Sequence, residues 1–222
     1  MKLQSVLFDL DGTLVDTAPD LGDALNQLLQ AHDHEPLSAA QIRPYASHGS
    51  VGLIRLGFSV EPSDPTFESL KSEFLNYYEQ RICARSGLFD SIAPLLAYLE
   101  SAQIPWGIVT NKPAFLTAPL VDALKLSSRA ACVVSGDTTA HRKPHPEPLF
   151  FALRQLRVLP SESLYIGDAE RDVTAAKRAG MKVLAATYGY LAVTDTPESW
   201  GADALVHSPA QIQSWIEAHY GC

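Results

Sequence analysis

Six short apolar runs, each followed by a helical pattern, set the fold of this 222-residue chain. They are Val6–Phe8, Trp106–Val109, Cys132–Val134, Ser163–Ile166, Val183–Ala186 and Ala204–Val206. Strands that read as near-continuous apolar runs are buried on both faces, and strands alternating with helices pair in parallel. Helical patterns cover about 90–101, 113–124, 146–156, 169–179 and 209–219. Pro113, Pro146 and Asp168 stand at the starts of three of them, where prolines and acidic residues favour helix initiation. The reading is an α/β fold with helices on both faces of a parallel sheet. One stretch breaks the alternation. Between 17 and 85 no buried strand is legible, and helices are expected at about 18–31, 38–45, 50–57 and 66–83, with joints such as Glu61-Pro62-Ser63-Asp64-Pro65. This predicts a core of residues 1–16 and 86–222 and a helical cap of 17–85. The cap is either a lid that excludes water or an extra helical layer.

Chemistry gathers where the strands end. Asp9-Leu10-Asp11-Gly12-Thr13 directly follows the first strand. Two carboxylates two residues apart at the end of a buried strand repel one another and lose hydration, a cost that a cation or a reaction offsets. In extended chain, residues i and i+2 point the same way. Asp9 and Asp11 therefore address one point beyond the sheet edge where open α/β sheets bind ligands. Read alone, the segment is equally an Asp-Gly turn after a core strand.

Three further segments end strands. Thr110-Asn111-Lys112 is either an anion site at a strand-to-helix turn or an ordinary helix start. Arg142-Lys143-Pro144-His145-Pro146 presents one lysine on a proline-stiffened backbone, suited to a phosphoryl oxygen or simply solvated. Gly167-Asp168 with Asp172 places two carboxylates four residues apart, facing one point across a helical turn. Asp168 by itself reads equally as a helix cap. Asp9, Asp11, Asp168 and Asp172 together form an all-oxygen set suited to Mg²⁺.

Bulk properties narrow the partners. The formal net charge is −8 with 17 basic residues and no basic cluster, a poor basis for nucleic-acid binding. Cys83, Cys132 and Cys222 are widely spaced and contain no CxxC, which argues against a disulfide framework or zinc site and fits a reduced, cytoplasmic setting. No apolar run approaches the roughly 20 residues of a membrane span, and no signal-type region precedes the first strand. A soluble protein is expected, either monomer or homodimer. Trp200 and Trp215 read as packing residues, and the histidines at 32, 34, 141, 145, 207 and 219 show no ligand spacing. Tyr188 and Tyr190 either border the site or close the sheet edge.

The order of these four segments resembles the haloacid dehalogenase-like superfamily of aspartyl-nucleophile phosphotransferases, over nearly the whole chain. Asp9–Thr13 is similar to its first motif, Thr110-Asn111 to its second, Lys143 to its third, and Gly167-Asp168 with Asp172 to its fourth. The resemblance implies a Rossmann-like doubly wound parallel sheet with an inserted helical cap. Phe8–Pro19, Trp106–Pro113, Lys143–Pro148 and Tyr188-Gly189-Tyr190 resemble the phosphoglycolate phosphatases. Pro105-Trp106-Gly107 and Pro197–Asp203 resemble the N-acetylmuramic acid 6-phosphate phosphatases. The β-phosphoglucomutase type shares all four motifs. By this resemblance Asp9 is the nucleophile, Asp11 the acid/base, and Asp9, Asp11, Asp168 and Asp172 hold Mg²⁺. Gly12, Thr13, Thr110, Asn111 and Lys143 bind the phosphate of a small phosphate ester. Arg43, His48, Gly49, Ser50 and Arg55 are the cap residues expected to meet substrate, the two arginines being either carboxylate partners or solvated. An acid/base Asp at position 11 favours phosphate ester over carbon–halogen chemistry.

Overall fold

The computed structural model describes residues 2–221, so Cys222 lies outside the described residues. Its main sheet contains β1 (Ser5–Phe8), β4 (Trp106–Val109), β5 (Cys132–Val134), β6 (Ser163–Gly167), β7 (Lys182–Ala186) and β8 (Ala204–Val206). The spatial order is β5-β4-β1-β6-β7-β8 and every pairing is parallel. The chain winds outward from β1 first to one side and then to the other, as a doubly wound sheet does. The expected α/β architecture is the observed one.

Side-chain alternation explains the two covered faces. Val6 and Phe8 pack on one side with α5 (Ile92–Ser101), α6 (Ala114–Ala123) and α9 (Pro209–Tyr220). Leu7 packs on the other with α7 (Glu147–Leu156) and α8 (Glu170–Ala179). Each strand thus contributes apolar groups to both clusters, and that is why its sequence shows no polar alternation. The predicted helices fall within a residue or two of these spans.

Between β1 and α5 the chain leaves the sheet. It forms α1 (Ala18–Ala31), α2 (Ala39–Ile42), a 3₁₀ segment (Arg43–His48), α3 (Gly49–Phe58) and α4 (Phe67–Glu79). The expected helix over 38–45 is cut short at Ile42. Pro44 has no N–H to continue the α ladder, so the chain tightens into a 3₁₀ turn. This helical insertion has its own apolar cluster, built from residues such as Leu25, Leu28, Leu53 and Phe74 and joined by Leu116 and Tyr190.

Both crossings into the insertion are tied together. β2 (Val15–Asp16) and β3 (Gly87–Leu88) form a two-stranded antiparallel ribbon that the sequence reading did not anticipate. Buried Asp20, in the first turn of α1, accepts hydrogen bonds from the backbone N–H groups of Arg85 and Ser86 at 2.9 Å. The Tyr190 hydroxyl accepts from the N–H groups of Thr17 (2.6 Å) and Ala18 (2.9 Å). These are helix-start donors with no intrahelical partner, and no side chain of α1's own cap satisfies them. No helix among the described residues is long and apolar enough to cross a membrane.

Leu25 of α1 is fully buried. Leu25→Ala is expected to lower the unfolding free energy by about 2–5 kcal/mol, read from urea denaturation; a loss below about 0.5 kcal/mol, typical of a surface site, would contradict the packing described.

Candidate active site

The three central strands, β4, β1 and β6, bring their C-terminal ends together at the point where the winding reverses. Asp9 follows β1, Thr110 follows β4 and Asp168 follows β6. The adjoining strands hold two of them: Asp9 N–H donates to the Ile166 carbonyl at 2.8 Å, and Thr110 N–H to that of Val134 at 2.9 Å. Side chains far apart in sequence are fixed here by backbone pairing rather than by loops.

Lys143 supplies the central positive charge. Its ammonium lies 2.9 Å from Asp9 Oδ1 and 2.8 Å from Asp172 Oδ1. It also donates to the Val109 carbonyl (2.7 Å) and to the Tyr165 hydroxyl (2.8 Å). Asn111 fixes the lysine's backbone, with its side-chain amide donating to the Lys143 carbonyl (2.9 Å) and accepting from the Lys143 N–H (3.0 Å). Burial pushes the Asp9 carboxyl above its ordinary range, and the neighbouring Lys143 charge opposes that rise. Thr110 Oγ1 accepts the Lys112 N–H at 3.1 Å, which leaves its O–H as a donor at the cavity wall.

Asp11 stands on the turn after β1. Its Oδ1 accepts from Thr17 Oγ1 (2.6 Å) and from the Lys112 ammonium (3.0 Å). Lys112 in turn sits 4.5 Å from the ring centre of Tyr78, on α4. Burial disfavours its charge, but Asp11 and Tyr78 outweigh this and raise its pKa. The N–H groups of Gly12 and Thr13 bond within the turn, to the Val15 and Leu10 carbonyls. Neither residue is among those lining the cavity. Gly12 serves another end. It adopts φ +82°, and a Cβ there would fall 2.1 Å from Asp168 Oδ2, so the turn's backbone packs directly on the carboxylate.

Asp9, Asp168 and Asp172 offer carboxylate oxygens within 4.8 Å of one another, all buried. Four carboxylates here (with Asp11) face three cations, Lys112, Lys143 and Arg171, so ionising all four would leave an excess of one negative charge. Burial, then Asp9 and Asp172, pushes the Asp168 carboxyl up to about 8. Its Oδ1 is buried with no hydrogen-bond partner. Unpaired negative charge and an orphaned hard oxygen are what a divalent cation would satisfy, so these residues fit a metal site.

A cavity of about 490 Å³ opens between this edge and the helical insertion. Asp9, Asp11, Thr110, Asn111 and Arg171 line it from the sheet side, and Ser47, His48, Gly49, Ser50, Lys71 and Tyr78 from the helices. Of the cap residues expected to meet substrate, His48, Gly49 and Ser50 are among those lining this cavity. Arg43 and Arg55 are not. Arg43 makes a two-point contact with Asp16 at 2.9 and 3.0 Å, 5.1 Å from the Tyr190 ring centre. Arg55 pairs with Glu61 on the exposed side. Lys71, Lys112, Arg142 and Arg171 are the basic lining residues instead; a lone basic residue carries no sequence sign of the direction it faces. Burial and Arg171 hold the His48 imidazole below its usual pKa. His141, His145 and Glu147, given no role above, bring their donor atoms together on the exposed side of the Lys143 loop, away from the cavity lining. Tyr188 donates to the Thr13 carbonyl at 2.9 Å and Tyr190 holds the hinge, so neither lines the cavity.

Fold and site together are those of a hydrolase with a buried carboxylate at the first strand's end. Residues 6–186 match the haloacid dehalogenase-like hydrolase family, and the chain belongs to it. It is 43% identical to the phosphoglycolate phosphatase of Xylella fastidiosa (strain Temecula1) over 206 residues, covering 93% of this chain and 90% of that protein. It is 38% identical to the N-acetylmuramic acid 6-phosphate phosphatase of Pseudomonas aeruginosa PAO1, covering 96% and 94%. The crystal structure of a predicted phosphoglycolate phosphatase from Haemophilus somnus 129PT superposes with a TM-score of 0.85 at 26% identity, covering 97% of this chain and 99% of that one.

Two outcomes follow from the carboxylate cluster. Ionising Asp168 is unfavourable in the metal-free fold up to about pH 8, whereas an unfolded Asp ionises near pH 3.9. Metal-free stability therefore falls as pH rises between these values, and a cation must displace a proton below about pH 8. The rise in Tm on adding a divalent cation is expected to grow from pH 6 to pH 8.5 in differential scanning fluorimetry; a pH-independent rise would contradict the assignment. Gly12→Ala is expected to abolish that rise, because its methyl group occupies the space of the Asp168 carboxylate.

Proposed function

We propose that the protein is a Mg²⁺-dependent phosphate monoesterase working through an aspartyl-phosphate on Asp9. The observation that carries this reading is buried Asp9, held from behind by Lys143 and lining a cavity together with Asp11 and Thr110. A carboxylate held by an ammonium, with one face toward a cavity, is a positioned nucleophile. Asp9 attacks phosphorus and the bond to the leaving oxygen breaks. Asp11 gives that oxygen a proton, then takes one from the water that releases phosphate from Asp9. Thr110 and Lys143 bind the non-bridging oxygens. Asp9, Asp168, Asp172 and the Asp11 carbonyl would hold Mg²⁺, which neutralises substrate charge so that one anion can approach another. The helical insertion acts as a cap that keeps bulk water from the intermediate. Free thiols at Cys83 and Cys132 support a reducing, cytoplasmic setting.

The relatives' names point to two carboxylated phosphates, 2-phosphoglycolate and N-acetylmuramic acid 6-phosphate. Identity alone favours the first. The cavity favours the second. Its volume of about 490 Å³ and its apolar wall of Leu21, Phe74, Leu75, Phe115 and Leu116 suit a ligand far larger than a two-carbon acid. Exposed Arg142 lies in the lining and has no ion pair among the described residues, which makes it the better candidate for a substrate carboxylate than Arg43 or Arg55.

Phosphate release from both esters, with Mg²⁺ and no bisphosphate sugar, tests the reading. The amino-sugar phosphate is expected to lead in kcat/KM by 100-fold or more, which is about 2.7 kcal/mol of discrimination. A lead of that size for 2-phosphoglycolate would reverse the substrate choice, and turnover only with a bisphosphate sugar would indicate a mutase. Asp9→Asn is expected to abolish turnover, and Lys143→Ala to lower kcat on the order of 10²–10³-fold. Near-normal turnover by Asp9→Asn would remove the nucleophile assignment.

A further inference from the structure

Asp168 is held from two directions. Its Oδ2 accepts the backbone N–H of Tyr190 at 3.0 Å and the hydroxyl of Ser47, also at 3.0 Å. Tyr190 N–H is fixed in the core. Ser47 belongs to the 3₁₀ segment of the insertion, 121 residues away in sequence. Arg171 controls which way the Ser47 hydroxyl faces. Its Nη2 donates to the Ser47 carbonyl (2.8 Å) and to Ser47 Oγ (3.1 Å). A guanidinium can only donate. The Ser47 oxygen must accept from Arg171, so its proton is left for Asp168. The result is a polarised relay from Arg171 through Ser47 to Asp168. With Oδ2 saturated by two donors the carboxylate cannot turn, and Oδ1 stays as the unpartnered oxygen. Asp9, Asp168 and Asp172 hold Arg171 charged in this place by their own fields.

From this relay we infer that Ser47 and Arg171 are positioning residues through which closure of the helical insertion presets Asp168 for its cation. The inference rests on the metal-dependent reading above. Ser47 is present at Asp168 only when the insertion lies against the sheet edge. Closure therefore orients the ligand, and by linkage the bound cation favours closure to the same degree. The 3₁₀ segment, which also leads into the cavity-lining His48-Gly49-Ser50, thereby reports on the metal site as well as on substrate.

Two measurements on the full-length chain without substrate test this: Mg²⁺ affinity by calorimetry, and amide hydrogen exchange over residues 43–50 with and without Mg²⁺. In the wild type, Mg²⁺ is expected to slow exchange over 43–50. Ser47→Ala, which removes the hydroxyl's bonds to Asp168 and from Arg171, is expected to weaken Mg²⁺ binding roughly 3–10-fold and to abolish that protection. Ser47→Thr is expected to restore both. Arg171→Lys keeps the charge but ends one bond short of the Nη2 position that reaches Ser47, and should shift both readouts in the direction of Ser47→Ala. If the wild type binds Mg²⁺ and hydrolyses a phosphate ester, yet Ser47→Ala binds Mg²⁺ equally well with equal protection, the relay has no positioning role. A wild type that neither binds Mg²⁺ nor releases phosphate would instead remove the underlying functional reading.

Discussion

The Lys143 ammonium is the contact on which the rest of the site depends. It lies between Asp9 and Asp172, and both carboxylates are nearly or fully buried with it. Removing one member of such a group leaves an uncompensated buried charge, which is far more costly than the net worth of the pair. The lysine comes from neither carboxylate's own segment. It enters on the loop between β5 and α7, and Asn111, at the end of β4, clasps its backbone. The ion pair therefore exists only if β4 and β6 both flank β1. Strand order and charge balance are one constraint seen at two scales.

That dependence explains how much could be read in advance. The six strands of the main sheet were legible because burial on both faces forces unbroken apolar runs. The carboxylates were legible because polar groups at the ends of such runs stand out against them. Val15–Asp16 and Gly87–Leu88 were not, because two residues carry no period. The shortening of the second helix could have been read from Pro44, whose missing N–H ends an α ladder. Which arginines face the cavity was beyond reach. Arg43 and Arg171 are each a single cation beside a helix start, and only the tertiary arrangement sends one to Asp16 at the hinge and the other to the carboxylate cluster. Ser47 carried no signal at all, since a serine in a surface turn is the ordinary case.

The insertion is also attached more tightly than a lid of independent helices would be. The β2–β3 ribbon pairs its two crossings, Asp20 stitches the return strand's approach to α1, and Arg43 links the 3₁₀ segment to Asp16. The cavity wall distant from this ribbon, around Lys71 and Leu75, has no comparable tether in the contacts described. Rigidity is concentrated on one side of the cavity, next to the general acid/base candidate Asp11, whose carboxylate is bonded to Thr17 at the crossing itself.

Tyr190 carries this arrangement into the order of synthesis. Its hydroxyl bonds to the N–H of Thr17, 173 residues earlier in the chain, and its own N–H bonds to Asp168. The insertion has an apolar cluster of its own and can collapse while the rest of the chain is still being made. Its hinge, however, lacks a partner until residue 190 has left the ribosome. Asp9 is among the first residues made, and Tyr190, which fixes Asp168 and the crossing beside it, comes late. A nascent chain of this protein thus holds the Asp9 carboxylate in an unfinished setting for most of its elongation, and the carboxylate cluster gains its last backbone donor only when residue 190 is in place.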